Sequence, residues 1–173
     1  IGCRSTIIGH CEERRDKAGI MQEAGVCDKD AVNKILNKEI KAAIAAGLEV
    51  LYCIGETSDE QKDWKQVLKK QIEIGLHEVD KSKVTIAYEP VWAIGPGKIP
   101  PDASYITKIA KYAKDVSGNL DVVYGGGLKA DNALMLAGIK EIDGGLIALT
   151  RFSGDIGFYP EEYLEIIKTY LGK

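Results

Sequence analysis

Short apolar runs alternate along this chain with segments whose apolar residues recur at helical spacing, and this alternation constrains the fold most. A strand–helix–strand order predicts a parallel sheet with helices packed on its faces. The predicted strands cover residues 2–9, 49–54, 84–88, 121–124 and 144–147. No Gly-x-Gly-x-x-Gly run follows any of them, and the sequence contains no P-loop. The pattern therefore predicts either an α/β barrel or a doubly wound sheet.

Helix-end signals divide the segments between the predicted strands. Gly47 is placed to end the first long amphipathic helix. Ser58 and Gln61 form a capping box that predicts the start of the next helix. Asp102 is a candidate N-cap, and Pro160 suits the first turn of the last helix. These signals predict a helix in the long connections that parallel strands require.

The composition excludes several classes of function. The chain has 173 residues, a hydrophobic fraction of 45% and a net charge of -3, which is typical of a globular domain with a substantial core. An acidic balance without a basic stretch predicts neither a nucleic-acid nor a membrane partner. No apolar run reaches the roughly 20 residues of a spanning helix. The four cysteines lack Cys-x-x-Cys spacing, which favours a reducing, cytoplasmic compartment. Cys3 and Cys53 lie in strand-like runs and are predicted to be core residues.

The segment 87–98 carries the clearest chemical signal. Its strand ends on Glu89, and Pro90 stops the strand because proline has no N–H for the ladder. Trp92 makes the next residues apolar, and Gly95 makes their far end flexible. Such an arrangement suits a base covered by a lid, because closure excludes water from a proton abstraction. The alternative is a structural glutamate before a surface loop.

Four segments resemble one enzyme family. Residues 87–98, which contain Glu-Pro-Val-Trp-Ala-Ile-Gly, closely resemble the strand-6 and loop-6 signature of the triosephosphate isomerase family. Residues 7–14 contain Gly-His-Cys-Glu and are similar to the family's Gly-His-Ser-Glu motif. Residues 53–57 are identical to a family segment, and residues 124–132 are similar to the family's loop 7. The matches occur in family order. Pro96 departs from the lid pattern, in which threonine is common.

This resemblance implies a fold. The family folds as a (β/α)₈ TIM barrel, and the matched segments correspond to its strands 4 to 8, or about five βα units. A whole barrel takes about 250 residues. Residues 1–173 are therefore expected to be the C-terminal part of a single barrel domain whose strands 1 to 3 are missing. Ile1 falls inside a strand pattern, in agreement with that expectation.

The resemblance also implies roles for side chains at the strand ends. Glu89 is the expected base, and His10 is the expected electrophile that polarises the substrate carbonyl; this enediolate scheme is the one known for the family. Glu12 matches a family glutamate close to the reaction centre, or else is a helix-start carboxylate favoured by the helix dipole. Cys11 beside His10 suggests a Cys–His nucleophile. Neighbours at a strand end point to opposite sides, however, so the two side chains are expected to be separated.

The substrate phosphate is expected on glycine-rich loops, where backbone N–H groups can approach an anion. The residues that match the family's phosphate contacts are Gly95, Gly125, Gly126 and Gly127. Gly127 replaces a family serine, and Ala148 and Leu149 replace two family glycines. The following segment, residues 152–158, is also longer than in the family. Arg151 is the candidate replacement donor, or else a solvated surface residue.

An intact acid–base pair with altered phosphate loops leaves three functions open. The first is triosephosphate isomerase-type interconversion of dihydroxyacetone phosphate and glyceraldehyde 3-phosphate, within glycolysis and gluconeogenesis. The second is isomerisation of a tetrulose phosphate, and the third is phosphate binding without turnover. Neither a metal nor an organic cofactor is expected, because no His, Cys and carboxylate residues have ligand spacing in the sequence. The resemblance implies a small phosphorylated sugar as substrate and a homodimer.

Overall fold

The structure, a computed structural model, describes residues 2–95, 97–151 and 154–172. The expectations that concern Ile1, Pro96 and the first two residues of segment 152–158 lie outside the described residues.

Parallel strands form one sheet in which spatial order follows chain order. The five strands are β1 (Ser5–Ile8), β2 (Glu49–Ile54), β3 (Val84–Tyr88), β4 (Val122–Tyr124) and β5 (Gly144–Gly145). Each strand pairs with the next in parallel register. The α/β class is confirmed, and the sheet is consistent with part of a TIM barrel. Within the described residues the sheet does not close, so β1 and β5 form its two edges.

Helices occupy the connections, as the alternating pattern predicts. They are α1 (Cys11–Glu23), α2 (Ala31–Ala45), α3 (Trp64–Gly75), α4 (Ala103–Ser117), α5 (Ala133–Ala137) and α6 (Pro160–Leu171). Asp102 caps α4 by accepting a hydrogen bond from the Tyr105 N–H at 2.7 Å, and Pro160 begins α6. Gly47 follows α2 with a φ of 83°, a left-handed conformation that favours glycine. No helix in the described part of the chain combines the length and the apolar character needed to cross a membrane.

Two predicted boundaries differ from the structure. The first strand begins at Ser5 opposite Glu49, so Cys3 precedes the ladder and is exposed rather than in the core. The helix expected after Ser58 begins as a 3₁₀ helix, Gln61–Asp63, and becomes α-helical only at Trp64. The carboxylate of Glu60 accepts hydrogen bonds from the N–H and hydroxyl of Thr57, both at 2.9 Å. These bonds fix a turn where the capping box predicted a helix.

Buried tyrosines and aliphatic side chains form the core between the sheet and its helices. Tyr52, Tyr88 and Tyr124 are at most 1% exposed and lie near the ends of three adjacent strands. Because the strands are parallel, the residues after them meet at one edge of the sheet. That edge holds the polar residues singled out from the sequence.

Candidate active site

Glu89 lies at the carboxyl end of β3 with its side chain inside the protein. Its N–H donates to the Ile54 carbonyl at 2.8 Å, so the ladder still holds its backbone. The residue is only 2% exposed. Its Oε2 accepts a hydrogen bond from the Cys11 N–H at 2.9 Å. The first turn of α1, which follows β1, therefore fixes the carboxylate at the end of β3.

His10 follows the carboxyl end of β1 and lies beside Glu89. Gly9 turns the chain with a φ of 84°, and a Cβ there would lie 2.9 Å from the Cys53 carbonyl oxygen. His10 then caps α1, and its Nδ1 accepts from the Glu12 N–H at 3.4 Å. Because a backbone N–H can only donate, the proton of a neutral ring lies on Nε2. That Nε2 lies 3.4 Å from Oε1 of Glu89.

The surroundings make Glu89 a stronger base than an exposed glutamate. Burial raises the pKa of its carboxyl group, and the effect outweighs the opposing influence of His10 and of the hydrogen bonds from Cys53 and Cys11. Burial, followed by the charge of Glu89, also raises the pKa of the Cys53 thiol. Cys53 is therefore a protonated neighbour that donates to the carboxylate.

Arg14 joins the two strand ends around the site, a role that the sequence did not reveal. Its Nε donates to the Gly9 carbonyl oxygen and its Nη2 to that of Cys53, both at 2.8 Å. It also donates to the side-chain oxygens of Asn33 and Tyr52, at 2.9 Å and 3.0 Å. Charge-assisted bonds of this kind stabilise the relative positions of β1 and β2.

Glu56 anchors the segment that follows Glu89. Its Oε1 accepts from the Tyr88 hydroxyl at 3.0 Å, the Trp92 Nε1–H at 2.8 Å and the Tyr105 hydroxyl at 2.9 Å. Its Oε2 is buried without a hydrogen-bond partner among the described residues. Glu56 lies within residues 53–57, which match a family segment, but the sequence pattern indicates no role for it. The contact ties the candidate lid to the loop after β2.

Two of the candidate phosphate glycines pack against buried groups. A Cβ on Gly125 would lie 2.9 Å from Cγ of Glu89, and the Gly125 N–H donates to the Tyr88 carbonyl oxygen at 2.7 Å. A Cβ on Gly126 would lie 2.3 Å from the Tyr124 hydroxyl. Gly127 has a φ of 93°. Within the described residues, the N–H groups of Gly126 and Gly127 donate to no protein acceptor, so both can bind an anion.

Three further candidate residues follow β5, and no hydrogen bond or ion pair among the described residues joins them to the acid–base pair. The Leu128 N–H donates to the Leu146 carbonyl oxygen at 2.7 Å, which places the loop before Ala148 and Leu149 beside the loop after β4. Arg151 instead faces α6, where its Nε donates to Glu162 at 3.0 Å and its guanidinium lies 3.9 Å from the Tyr159 ring centre.

Glu12 and Gly95 are both exposed. Within the described residues the Glu12 carboxylate makes no hydrogen bond or ion pair. Glu12 contacts the site through its backbone N–H, which donates to Nδ1 of His10. Gly95 has a φ of 118°, and a Cβ there would meet no atom within 4 Å. The lid end of the segment is therefore open to solvent.

His10, Cys11 and Glu89 are the described residues that could hold a metal ion. One donor atom from each lies within 4.8 Å of the others. Cys11 Sγ is 3.8 Å from His10 Nδ1, although the sequence predicted that the two side chains would be separated. That prediction is wrong because Cys11 is the first residue of α1, where strand alternation no longer applies.

Comparisons with known proteins agree with the resemblance. The family model described as triosephosphate isomerase matches residues 1–169. A protein named triosephosphate isomerase from Chloroherpeton thalassium is 35% identical over 97% of this chain and 65% of its own length. Its namesake from Treponema denticola is 38% identical over 96% of this chain and 64% of its own length. This chain thus spans less than two thirds of the length of these curated relatives.

Proposed function

Because the chain belongs to the triosephosphate isomerase family, we propose that its protein interconverts dihydroxyacetone phosphate and glyceraldehyde 3-phosphate through an enediolate. The observation that carries the proposal is the pairing of a buried carboxylate with an imidazole nitrogen. Oε1 of Glu89 and Nε2 of His10 lie 3.4 Å apart at the carboxyl ends of parallel strands. A base and a donor at that spacing can address adjacent atoms of one small substrate.

The two side chains divide the reaction between them. Glu89 accepts a proton from the hydroxyl-bearing carbon next to the carbonyl, while His10 donates a hydrogen bond from Nε2 to the carbonyl oxygen. The negative charge passes from the carboxylate to the enediolate oxygen, which the imidazole stabilises. The neighbouring hydroxyl then passes its proton, through Nε2 of His10, to that oxygen, and Glu89 returns its own proton to the former carbonyl carbon, so atoms and charge balance. Burial supports this role because it raises the pKa of Glu89.

Residues 91–95, which begin with the 3₁₀ helix Val91–Ala93, supply the candidate lid. Trp92 is held to Glu56 by a hydrogen bond of 2.8 Å, whereas Gly95 at its far end is exposed. An anchored start and a free glycine end allow the segment to close over a bound substrate and exclude water. The free N–H groups of Gly126 and Gly127 are the proposed phosphate donors, with Gly95 joining them on closure.

The loop after β5 favours a second candidate substrate, a tetrulose phosphate. Between β5 and α6, residues 146–151 and 154–159 contain no helix. The N–H groups of Thr150 and Arg151 instead donate to the Gly157 carbonyl oxygen, both at 3.1 Å. These described residues thus lack the short helix whose N-terminus often binds phosphate in barrel enzymes. The side chains of Ala148 and Leu149 further reshape it.

Parallel assays of the full-length protein test both substrates. We expect turnover of dihydroxyacetone phosphate with less than a hundredfold preference over the C4 ketose phosphate, about 2.7 kcal/mol at 1.36 per decade. The reshaped loop is the reason for the relaxed selectivity. A larger C3 preference would exclude the second candidate. A higher kcat/KM for the C4 substrate would make it the better assignment, and no turnover of either would leave a non-catalytic phosphate-binding protein.

We also propose that residues 1–173 form the C-terminal part of one barrel domain, closed by three further βα units between β5 and β1. The exposed edge of β1, where Ile7 is 55% exposed, is the surface that a further strand would cover. Expressed alone, these residues are expected to be insoluble or oligomeric, because unpaired strand edges associate. Size-exclusion chromatography and calorimetry test this. A monomer with a cooperative thermal transition would contradict it.

The homodimer and the cytoplasmic location stay predictions.

A further inference from the structure

The side chain of Cys11 has no part in the proposed isomerisation, yet it lies beside both reacting groups. Its Sγ is 3.8 Å from His10 Nδ1, and its own N–H donates to Oε2 of Glu89. The family motif that residues 7–14 resemble has serine in this place. The chain thus brings a thiol, an imidazole and a carboxylate together, with donor atoms within 4.8 Å of one another.

The distances suit a tetrahedral ion. Zinc binds sulfur at about 2.3 Å and imidazole nitrogen or carboxylate oxygen at about 2.0–2.2 Å, so neighbouring ligand atoms lie roughly 3.3–3.6 Å apart. The separations of 3.8 Å from sulfur to Nδ1 and 3.4 Å from Nε2 to Oε1 are close to these values. The two separations involve different nitrogens of the His10 ring, and only one of these nitrogens can bind the ion. One of the three side chains must therefore rotate for all three to bind the same ion. The His10 side chain is 46% exposed, which leaves it room to do so.

The charges also match a divalent ion. A bound divalent cation offsets the two negative charges of a thiolate and a carboxylate, and imidazole binds such ions as an uncharged ligand. Binding would release the thiol proton to solvent.

We propose that His10, Cys11 and Glu89 form a binding site for a divalent ion of the zinc class, and that occupancy of this site inhibits the enzyme. The ion occupies the base and the electrophile at once, so substrate cannot be deprotonated while it is bound; this consequence rests on the proposed function. The fourth ligand position stays open to solvent. Magnesium and calcium prefer oxygen ligands and are excluded by the thiolate and imidazole.

Cobalt titration of the full-length protein tests the site without an activity assay. Co²⁺ should produce the near-ultraviolet charge-transfer absorption of a thiolate ligand, Zn²⁺ should displace it, and Mg²⁺ should not. Cys11→Ser should abolish the band and weaken Zn²⁺ binding at least tenfold. Cys27→Ser is the matched control, because Cys27 is exposed and outside the cluster, and it should bind like the parent. Zn²⁺ should also protect Cys11 from alkylation, a readout by mass spectrometry that needs no variant.

The outcomes separate this inference from the proposed function. A cobalt band that persists in Cys11→Ser, or a parent protein without a thiolate band, would overturn the site. Zinc that binds through Cys11 but leaves turnover unchanged would overturn inhibition. Cys11-dependent binding by a protein without isomerase activity would keep the site and reject the proposed function. A fully active enzyme that shows neither a thiolate band nor zinc protection of Cys11 would keep the proposed function and reject the metal site.

Discussion

Replacing Glu89 with glutamine is expected to lower kcat/KM by about three powers of ten, the usual contribution of a positioned general base. The amide keeps the size of the side chain, and its oxygen can still accept from the Cys11 N–H, which now lies 2.9 Å from Oε2. It cannot accept a proton from carbon. The loss should therefore fall mainly on kcat rather than KM. Steady-state kinetics of the full-length enzyme measure it.

The same substitution should raise the melting temperature at neutral pH. Burial raises the folded-state pKa of Glu89 above its ordinary value of 4.5, so ionisation is penalised in the folded protein. The stability that this group contributes is present below pH 4.5 and is lost as the pH rises through the folded-state pKa. Glutamine does not titrate and avoids that loss. The gain in melting temperature should shrink toward zero as the pH falls to 4.5.

The parent enzyme should show the same pKa in its kinetics. Because the base must be ionised, kcat/KM should fall on the acid side at a pH above 4.5. Glu73→Gln is the matched control, since Glu73 is an exposed carboxylate on α3 paired with Lys69, and it should change neither activity nor the pH profile. Near-normal turnover in Glu89→Gln would exclude Glu89 as the base.

The positions of Glu89 and His10 could be anticipated because parallel strands share a carboxyl edge. The strands Glu49–Ile54 and Val84–Tyr88 were predicted with the bounds that the structure shows. Once those strands pair in parallel, the residues that follow them must converge. The convergence of His10 and Glu89, to 3.4 Å between Nε2 and Oε1, follows from that rule. Their catalytic roles stay predictions.

The contacts that surround the pair could not be anticipated, because they depend on register and side-chain direction. Arg14 reaches Cys53 and Tyr52, which lie 39 and 38 residues away in the chain. Glu56 reaches Tyr105 across 49 residues. A sequence pattern that spans a few residues carries no information about contacts between residues so far apart in the chain. Strand alternation predicts the Cys11 thiol away from His10, but that alternation ends before residue 11, where α1 begins.

Gly55→Ala is expected to reduce both stability and activity, because the backbone of Gly55 packs directly against the backbone of Glu89. An ideal Cβ on Gly55 would lie 1.8 Å from the Glu89 carbonyl oxygen, a separation that no rotamer can relieve. The Gln71 side chain holds Gly55 in place, accepting from its N–H and donating to its carbonyl oxygen, both at 2.8 Å. The strand ends must therefore move apart.

The expected cost is about 2–3 kcal/mol of unfolding free energy, within the range of overpacked cores. A displacement of Glu89 by about 1 Å should lower kcat roughly a hundredfold. Denaturant unfolding and steady-state kinetics of full-length Gly55→Ala measure both effects. Gly19→Ala is the matched control, because a Cβ on Gly19 meets nothing within 4 Å in helix α1, and it should gain up to about 1 kcal/mol from helix propensity. If Gly55→Ala keeps parental stability and turnover, the close approach of β2 to Glu89 does not position the base.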